Sequence, residues 1–319
     1  VSLFYRAPTD LGPADSLTPV QREIAAMSGS DDPSDASRPS LVSVFRSHRH
    51  DTAGAISRNS APVPGTAADF DIGENNNPIA VFDPLRMWNA LPAVDLDLSI
   101  LMQSGLFAAS NQSPFGAAFD LLRTQVAQAM KERGWSRLGV TSPTRGCGKS
   151  YIAANLALSL ARLPDSRTAL VDLDLAQPNL HRMLGLTPRH AMKDYLAGHA
   201  AVESVFLRVG NTLACGLNGD GRESGSEILH TAASGKALTE MERQLLPDMS
   251  IFDLPPALTG DEVLAMHGKL DAVLLVADGS RTTAKDIRAC EELFANRIPL
   301  MGVILNRAED AALRRKGGR

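Results

Sequence analysis

The sequence predicts an α/β chain in which a mostly parallel sheet is flanked by helices on both faces and preceded by a largely disordered N-terminal region. Three observations carry that prediction: a glycine loop, Gly146-Cys147-Gly148-Lys149-Ser150, set between an apolar run and a helical pattern; apolar strands that alternate with helical stretches from residue 137 onward; and aspartates placed where those strands end. Short apolar runs alternating with helices of period 3.6 are the pattern of βαβ units, whose parallel strands are covered on both faces.

Leu138-Gly139-Val140 precedes the loop and Ile152 to Leu163 follows it with helical periodicity, so the local order is strand, glycine loop, helix. A loop of this kind exposes consecutive backbone N–H groups, the helix N-terminus adds a partial positive charge and Lys149 adds a full one, an arrangement that holds a nucleotide's phosphates. The consensus G-x-x-x-x-G-K-[ST] is met except at its first glycine, where Pro143 stands. Lys149 is expected to reach the β- and γ-phosphates, and the Ser150 hydroxyl is a hard oxygen ligand suited to Mg2+. Gly146 and Gly148 let the backbone approach phosphate with no Cβ in the way. The ATP contacts are therefore assigned to Gly146, Cys147, Gly148, Lys149, Ser150 and Tyr151, with Arg145 either adding a charge or standing solvated. The plainer reading is a glycine-rich βα turn with an exposed lysine.

The alternation places strands at 137–141, 168–173, 212–217, 249–254, 272–277 and 300–305, and helices near 150–163, 179–185, 200–206, 226–245, 260–268 and 283–296. A further helix over 114–133 carries Phe119, Leu122, Val126 and Met130 on one face and leads into the first strand. These elements define a domain over 114–307. Ahead of it, 78–113 is apolar enough to pack as irregular structure with a short helix. Residues 1–77 read as linker, because the Ser, Asp, Pro, Ala and Gly of 29–70 bury too little apolar area to offset the entropy of ordering. Within them 17–27 forms a short amphipathic helix with Thr18 as N-cap and Pro19 at the first helical position. A basic tail, 308–319, closes the sequence.

A net charge of −4 over 319 residues gives no general attraction to nucleic acid or anionic lipid, so no nucleic-acid partner is expected. The three cysteines, 147, 215 and 290, lack metal-ligand spacing and read as reduced thiols of a cytoplasmic chain. No run approaches the ~18 to 20 apolar residues that cross a bilayer.

In parallel sheets ligands sit at the carboxyl ends of the strands. Two of those ends carry acids, in Val171-Asp172-Leu173-Asp174 and in Phe252-Asp253-Leu254-Pro255-Pro256. A buried strand-end carboxylate is costly unless it serves a cation or a hydrogen bond, and a magnesium ion held near phosphates supplies the cation. Asp172, Asp174 and Asp253 are read as metal and nucleotide residues; the alternative is that Asp253 caps the turn before Pro255 and that Asp172 or Asp174 caps the next helix. Asp278, in an Asp-Gly pair, is read as turn chemistry.

Together, Gly146 to Ser150, Val171-Asp172-Leu173-Asp174-Leu175 with Pro178 and Leu180-His181, Asp194-Tyr195-Leu196-Ala197-Gly198, and Asp253-Leu254-Pro255-Pro256 resemble the bacterial tyrosine kinases of capsule and exopolysaccharide synthesis, the CpsD/CapB type, within the MinD/ParA-like P-loop ATPases. The resemblance covers about 114–307. It implies that Lys149 and Ser150 form Walker A, that Asp172 and Asp174 form Walker A′ and are catalytic together with Lys149, and that Asp253 is Walker B. It further implies that Ser150, Asp172 and Asp253 hold magnesium, that Asn306 contacts adenine, and that a membrane polysaccharide co-polymerase (Wzz-like) is the partner of a homo-oligomer peripheral at the inner membrane.

The sequence also departs from that family. Its tyrosines are Tyr5, Tyr151 and Tyr195, with no terminal cluster, which argues against tail autophosphorylation. Ala117, Asp120 and Arg123 stand where the family's oligomerisation helix carries Glu, Arg and Arg, and Ala176 and Leu254 replace polar residues after the Walker A′ and Walker B acids. Two readings follow from these departures, a tyrosine kinase-like ATPase and a non-catalytic ATP-dependent regulator. A third, a positioning ATPase of MinD/ParA type, lacks its signature lysine, Thr144 standing there.

Overall fold

The computed structural model describes residues 4–5, 84–109, 114–219 and 226–307. The helix expected at 17–27 and the basic tail lie outside the described residues. In chain order the elements are β1 (Phe4–Tyr5), α1 (Pro84–Ala90), β2 (Ala93–Val94), α2 (Leu98–Gln103), α3 (Pro114–Arg133), β3 (Arg137–Thr141), α4 (Lys149–Ala161), β4 (Thr168–Asp172), α5 (Leu180–Leu184), α6 (Met192–Leu196), α7 (Val202–Val205), β5 (Phe206–Val209), β6 (Leu213–Gly216), α8 (Ala232–Leu245), β7 (Met249–Asp253), α9 (Glu262–Ala265), β8 (Ala272–Asp278), α10 (Ala284–Phe294) and β9 (Leu300–Asn306).

The strands form one nine-stranded sheet in the order β1-β9-β8-β3-β7-β4-β6-β5-β2. From β9 to β6 every neighbouring pair is parallel. The run is broken on one side by the antiparallel β5–β6 pair and on the other by β1 against β9. Central strands are buried on both faces because their side chains alternate between two cores. Leu170 of β4 and Leu274 and Val276 of β8 join one core, with Phe119 of α3 and Ile152 and Leu156 of α4. Ala169 and Val171 of β4 and Val273, Leu275 and Ala277 of β8 join the other, with Trp88 of α1, Met241 of α8 and Ile287 of α10. The expected sheet with helices on both faces is present.

α4 lies between the sheet and α3, which explains why its residues 152–160 are buried all round. α3 is locked to it by polar contacts: Asp120 accepts hydrogen bonds from Ser159 Oγ at 2.7 Å and from both terminal nitrogens of Arg162 at 2.9 and 3.0 Å. Arg123 donates to the Ser159 carbonyl at 3.0 Å. Asp120 and Arg123, two of the positions matched to an oligomerisation helix, are thus engaged within the chain. The segment after α2 docks on the same helix through Asn155, whose Oδ1 accepts from the Ala108 backbone N–H at 3.0 Å.

Three local differences from the sequence reading have physical reasons. The helix expected at 200–206 stops at Val205, and Phe206–Val209 turns into β5, paired with β6 across a tight turn at Gly210 (φ 57°). A short helix and a short strand share one apolar window there, and periodicity cannot divide them. The helix expected at 226–245 divides into a 3-10 turn, Ser226–His230, and α8, because the Thr231 hydroxyl caps α8 by accepting from the Ser234 N–H. The 78–113 segment, expected to be irregular with a short helix, holds two short helices, α1 and α2, among its described residues, together with β2, which extends the sheet.

Candidate nucleotide site

β3 lies near the middle of the sheet, so the loop after it opens between the ends of β7 and β8. Gly146 and Gly148 both have positive φ, 80° and 96°. At Gly148 a Cβ would lie 2.2 Å from Asn306 Nδ2, so this position is closed to any side chain. α4 begins at Lys149, and the first N–H groups of a helix have no intrahelical acceptor. The turn is therefore a set of backbone donors at the positive end of a buried helix, as the loop motif required.

Sheet register brings the acids to this turn. Asp172 at the end of β4 stands directly beside Asp253 at the end of β7, and Asp253 in turn pairs with Val140 of β3. Asp174 follows in the turn after β4, where its Oδ2 lies 2.7 Å from Lys149 Nζ, while Asp253 Oδ1 lies 3.4 Å from the same nitrogen. Lys149 also approaches Ser150 Oγ at 3.4 Å. Asp172, Asp174, Asp253 and Lys149 are all buried.

The electrostatics follow from that burial. Desolvation pulls the Lys149 ammonium down, and the Asp253 and Asp174 carboxylates overcome it, leaving lysine above its usual range. Desolvation lifts Asp172 well above the carboxylate range and the adjacent Asp253 lifts it further, against the pull of Lys149. Asp253 is raised by the same burial, offset in part by the Lys149 charge and by the Ser150 hydrogen bond. The alternative of capping is met in part: Asp174 Oδ1 accepts from the Gln177 N–H at 3.1 Å and Asp172 Oδ1 from the Asp174 N–H at 3.2 Å. Asp172 Oδ2 and Asp253 Oδ2 are buried without a hydrogen-bond partner. Turn capping therefore does not account for these acids.

The two orphaned oxygens, together with the Ser150 hydroxyl, are hard donors suited to magnesium. Among the described residues no group of three or more His, Cys, Asp or Glu could hold a metal on its own.

Other assigned residues behave differently. The Tyr151 ring packs edge-on against Phe119, centroids 5.8 Å apart, and its hydroxyl is buried, so only its backbone N–H is left to face a phosphate. Asn306 donates from Nδ2 to the Cys147 carbonyl at 2.9 Å, which holds the loop, and accepts at Oδ1 from the neighbouring Arg307 N–H at 3.0 Å. Arg145 is exposed. Cys147 is buried, with Sγ donating to the Thr144 carbonyl at 3.2 Å.

The sequence reading missed a second cluster beside the loop. Asp278 makes the turn expected of it, accepting at Oδ1 from the Ser280 N–H at 2.9 Å. It also binds Arg281 and Arg307 through Oδ2, and both arginines reach the glycine loop. The available signal was positional: Asp278 stands opposite Asn306 in register, as Asp172 stands opposite Asp253.

The chain is similar to several known proteins. EpsB of Ralstonia solanacearum, named as a candidate tyrosine-protein kinase, is 30% identical over 190 residues, covering 58% of this chain and 24% of that protein. The tyrosine-protein kinase etk of Escherichia coli (strain K12) is 27% identical over 193 residues, covering 58% of this chain and 25% of that protein. The chain thus spans about a quarter of the length of the relatives it matches. The solved kinase domain of Escherichia coli tyrosine kinase ETK superposes with a TM-score of 0.57 at 25% identity, over 63% of this chain and 79% of that one. Residues 136–312, more than half the chain, match the family model for ParA, described as the NUBPL iron-transfer P-loop NTPase. This chain belongs to the ParA family of P-loop NTPases.

Proposed function

We propose that the chain binds ATP with magnesium at the 142–150 loop and transfers the γ-phosphoryl group to a tyrosine of another molecule, or to water, in exopolysaccharide biosynthesis. The observation that carries this reading is Lys149 buried among Asp172, Asp174 and Asp253 at the ends of adjacent parallel strands. In that position the lysine is poised over the loop. When phosphates arrive, its ammonium exchanges Asp174 for phosphate oxygen, which releases the Asp174 carboxylate. Asp172 and Asp174 then stand as acceptors for the proton of an incoming hydroxyl. Ser150, Asp172 and Asp253 would hold the magnesium ion, which neutralises charge on the phosphates.

Tyr151 and Tyr195 are not presented as acceptors in this reading, because both are packed into the core and the Tyr195 hydroxyl donates to the Ala237 carbonyl at 2.8 Å. The same burial favours a second reading, an ATP-dependent regulator that docks a membrane polysaccharide co-polymerase without transferring phosphate. Among the described residues no helix is long and apolar enough to cross a membrane.

Purified chain incubated with magnesium, γ-labelled ATP and a tyrosine-containing acceptor polypeptide separates the two readings. Label on acceptor tyrosine, or released phosphate, supports catalysis; tight ATP binding with neither product supports the regulator. Lys149→Met is expected to lose ATP binding. Because that change also uncovers three buried acids, Ser150→Ala, which keeps the ion pairs, is expected to retain the fold and lose the magnesium-dependent part of binding.

A further inference from the structure

On the side of the loop away from Asp172 and Asp253, two arginines converge on a single carbonyl. Arg281 Nη2 donates to the Gly146 carbonyl at 2.9 Å and Arg307 Nη1 donates to the same oxygen at 2.8 Å. Both guanidiniums are held by one carboxylate oxygen, Asp278 Oδ2, at 2.9 Å from Arg281 Nη2 and 2.8 Å from Arg307 Nη1. Asp278 is fully buried, whereas the arginine side chains are 58% and 53% exposed. Arg307 also adopts φ 55°, the left-handed region that a residue with a Cβ occupies at a cost.

A planar trans peptide points its C=O and N–H in opposite directions. Fixing the Gly146 carbonyl on the arginines therefore turns the Cys147 N–H away from them. Asn306 does the same one peptide later, since holding the Cys147 carbonyl turns the Gly148 N–H to the opposite side. These are two of the backbone donors from which a phosphate nest is built.

We infer that Asp278, Arg281 and Arg307 are positioning residues of the nucleotide site: the arginines keep the Gly146 carbonyl out of the phosphate cradle, and Asp278 keeps the arginines in place. The inference rests on the ATP reading above. It assigns a role to an acid and two cations that the motifs leave unexplained. It also makes a prediction opposite in sign to simple charge. Removing the negative charge of Asp278 from beside a bound polyanion tightens binding if charge alone matters, and loosens it if Asp278 acts by holding the arginines.

The test is calorimetric titration of the full chain with ATP and magnesium, alongside the melting temperature of each nucleotide-free variant. Absence of saturable binding by the wild type would remove the ATP reading and this inference with it. Given wild-type binding, Arg281→Ala/Arg307→Ala is expected to raise Kd by about tenfold, equivalent to about 1.4 kcal/mol, and to lower the nucleotide-free melting temperature as well, because the buried Asp278 carboxylate loses both its cations. Arg281→Lys/Arg307→Lys is expected to recover most of that loss, because an ammonium still donates to the carbonyl, and Asp278→Asn is expected to weaken binding. A double-alanine variant within about twofold of wild type, a double-lysine variant that binds no better than the double alanine, or a tighter Asp278→Asn variant would overturn the inference while leaving the ATP reading intact.

Discussion

Asp172 Oδ2 and Asp253 Oδ2 lie buried, side by side in register, with no hydrogen-bond donor to either. Adjacent buried acids whose repulsion Lys149 offsets only in part oppose folding, and their retention at a binding site is a trade of stability for function. Asp172→Asn keeps the Oδ1 acceptor used by the Asp174 N–H, removes one of the two charges and supplies a donor. It is expected to stabilise the nucleotide-free chain by about 1–2 kcal/mol in chemical denaturation while abolishing magnesium-dependent ATP binding. Gly148→Ala is expected to fail in the opposite way. Its Cβ would meet Asn306 Nδ2 at 2.2 Å at a φ of 96°, so the loop must open and both affinity and stability fall. At this scale the acids were legible in the sequence, because each follows an apolar strand. The Asp278 cluster was not, because an Asp-Gly pair has an adequate local explanation and the arginines that bind the acid lie three and twenty-nine residues away.

The P-loop helix α4 is held in place by what packs on it, and that support is partly ionic. Burial pushes the Asp120 carboxyl up, and the hydrogen bond from Ser159 together with the Arg162 guanidinium more than offsets this, leaving it below the usual carboxylate range. A carboxyl held lower in the folded than in the unfolded chain contributes stability above its unfolded pKa, and that contribution disappears as pH falls through the folded value. Asp120→Ala is therefore expected to cost about 1–2 kcal/mol at neutral pH in urea melts, and the difference from wild type should shrink on acidification into the carboxylate range. The parallel strands and the long helices α3, α4 and α10 were readable from periodicity. The four-residue strand β5 and the two-residue strand β2 were not, because they are too short to show a period and are stabilised by the sheet edge they join.

In the whole molecule the loop, its acids and the cluster beside it hang on one sheet. The ends of β3, β4 and β7 supply the loop and its acids, and the ends of β8 and β9 supply the residues that brace the loop, so the site exists only when all of these strands are in register. A ligand bound there stabilises the folded chain against global unfolding by mass action, about 2.7 kcal/mol at a hundredfold excess over Kd. Fold class and loop were read from the sequence because strand, glycine turn and helix are contiguous; the brace was hidden because the sheet order, β9-β8-β3, brings residue 306 to residue 147 across a long stretch of chain. Equilibrium titration of the purified chain with ATP, with and without magnesium, bears most directly on the site. Saturable binding at a single site, strengthened by magnesium and lost in Lys149→Met, is the result expected; a wild-type chain that folds yet shows no saturable binding of ATP would contradict it.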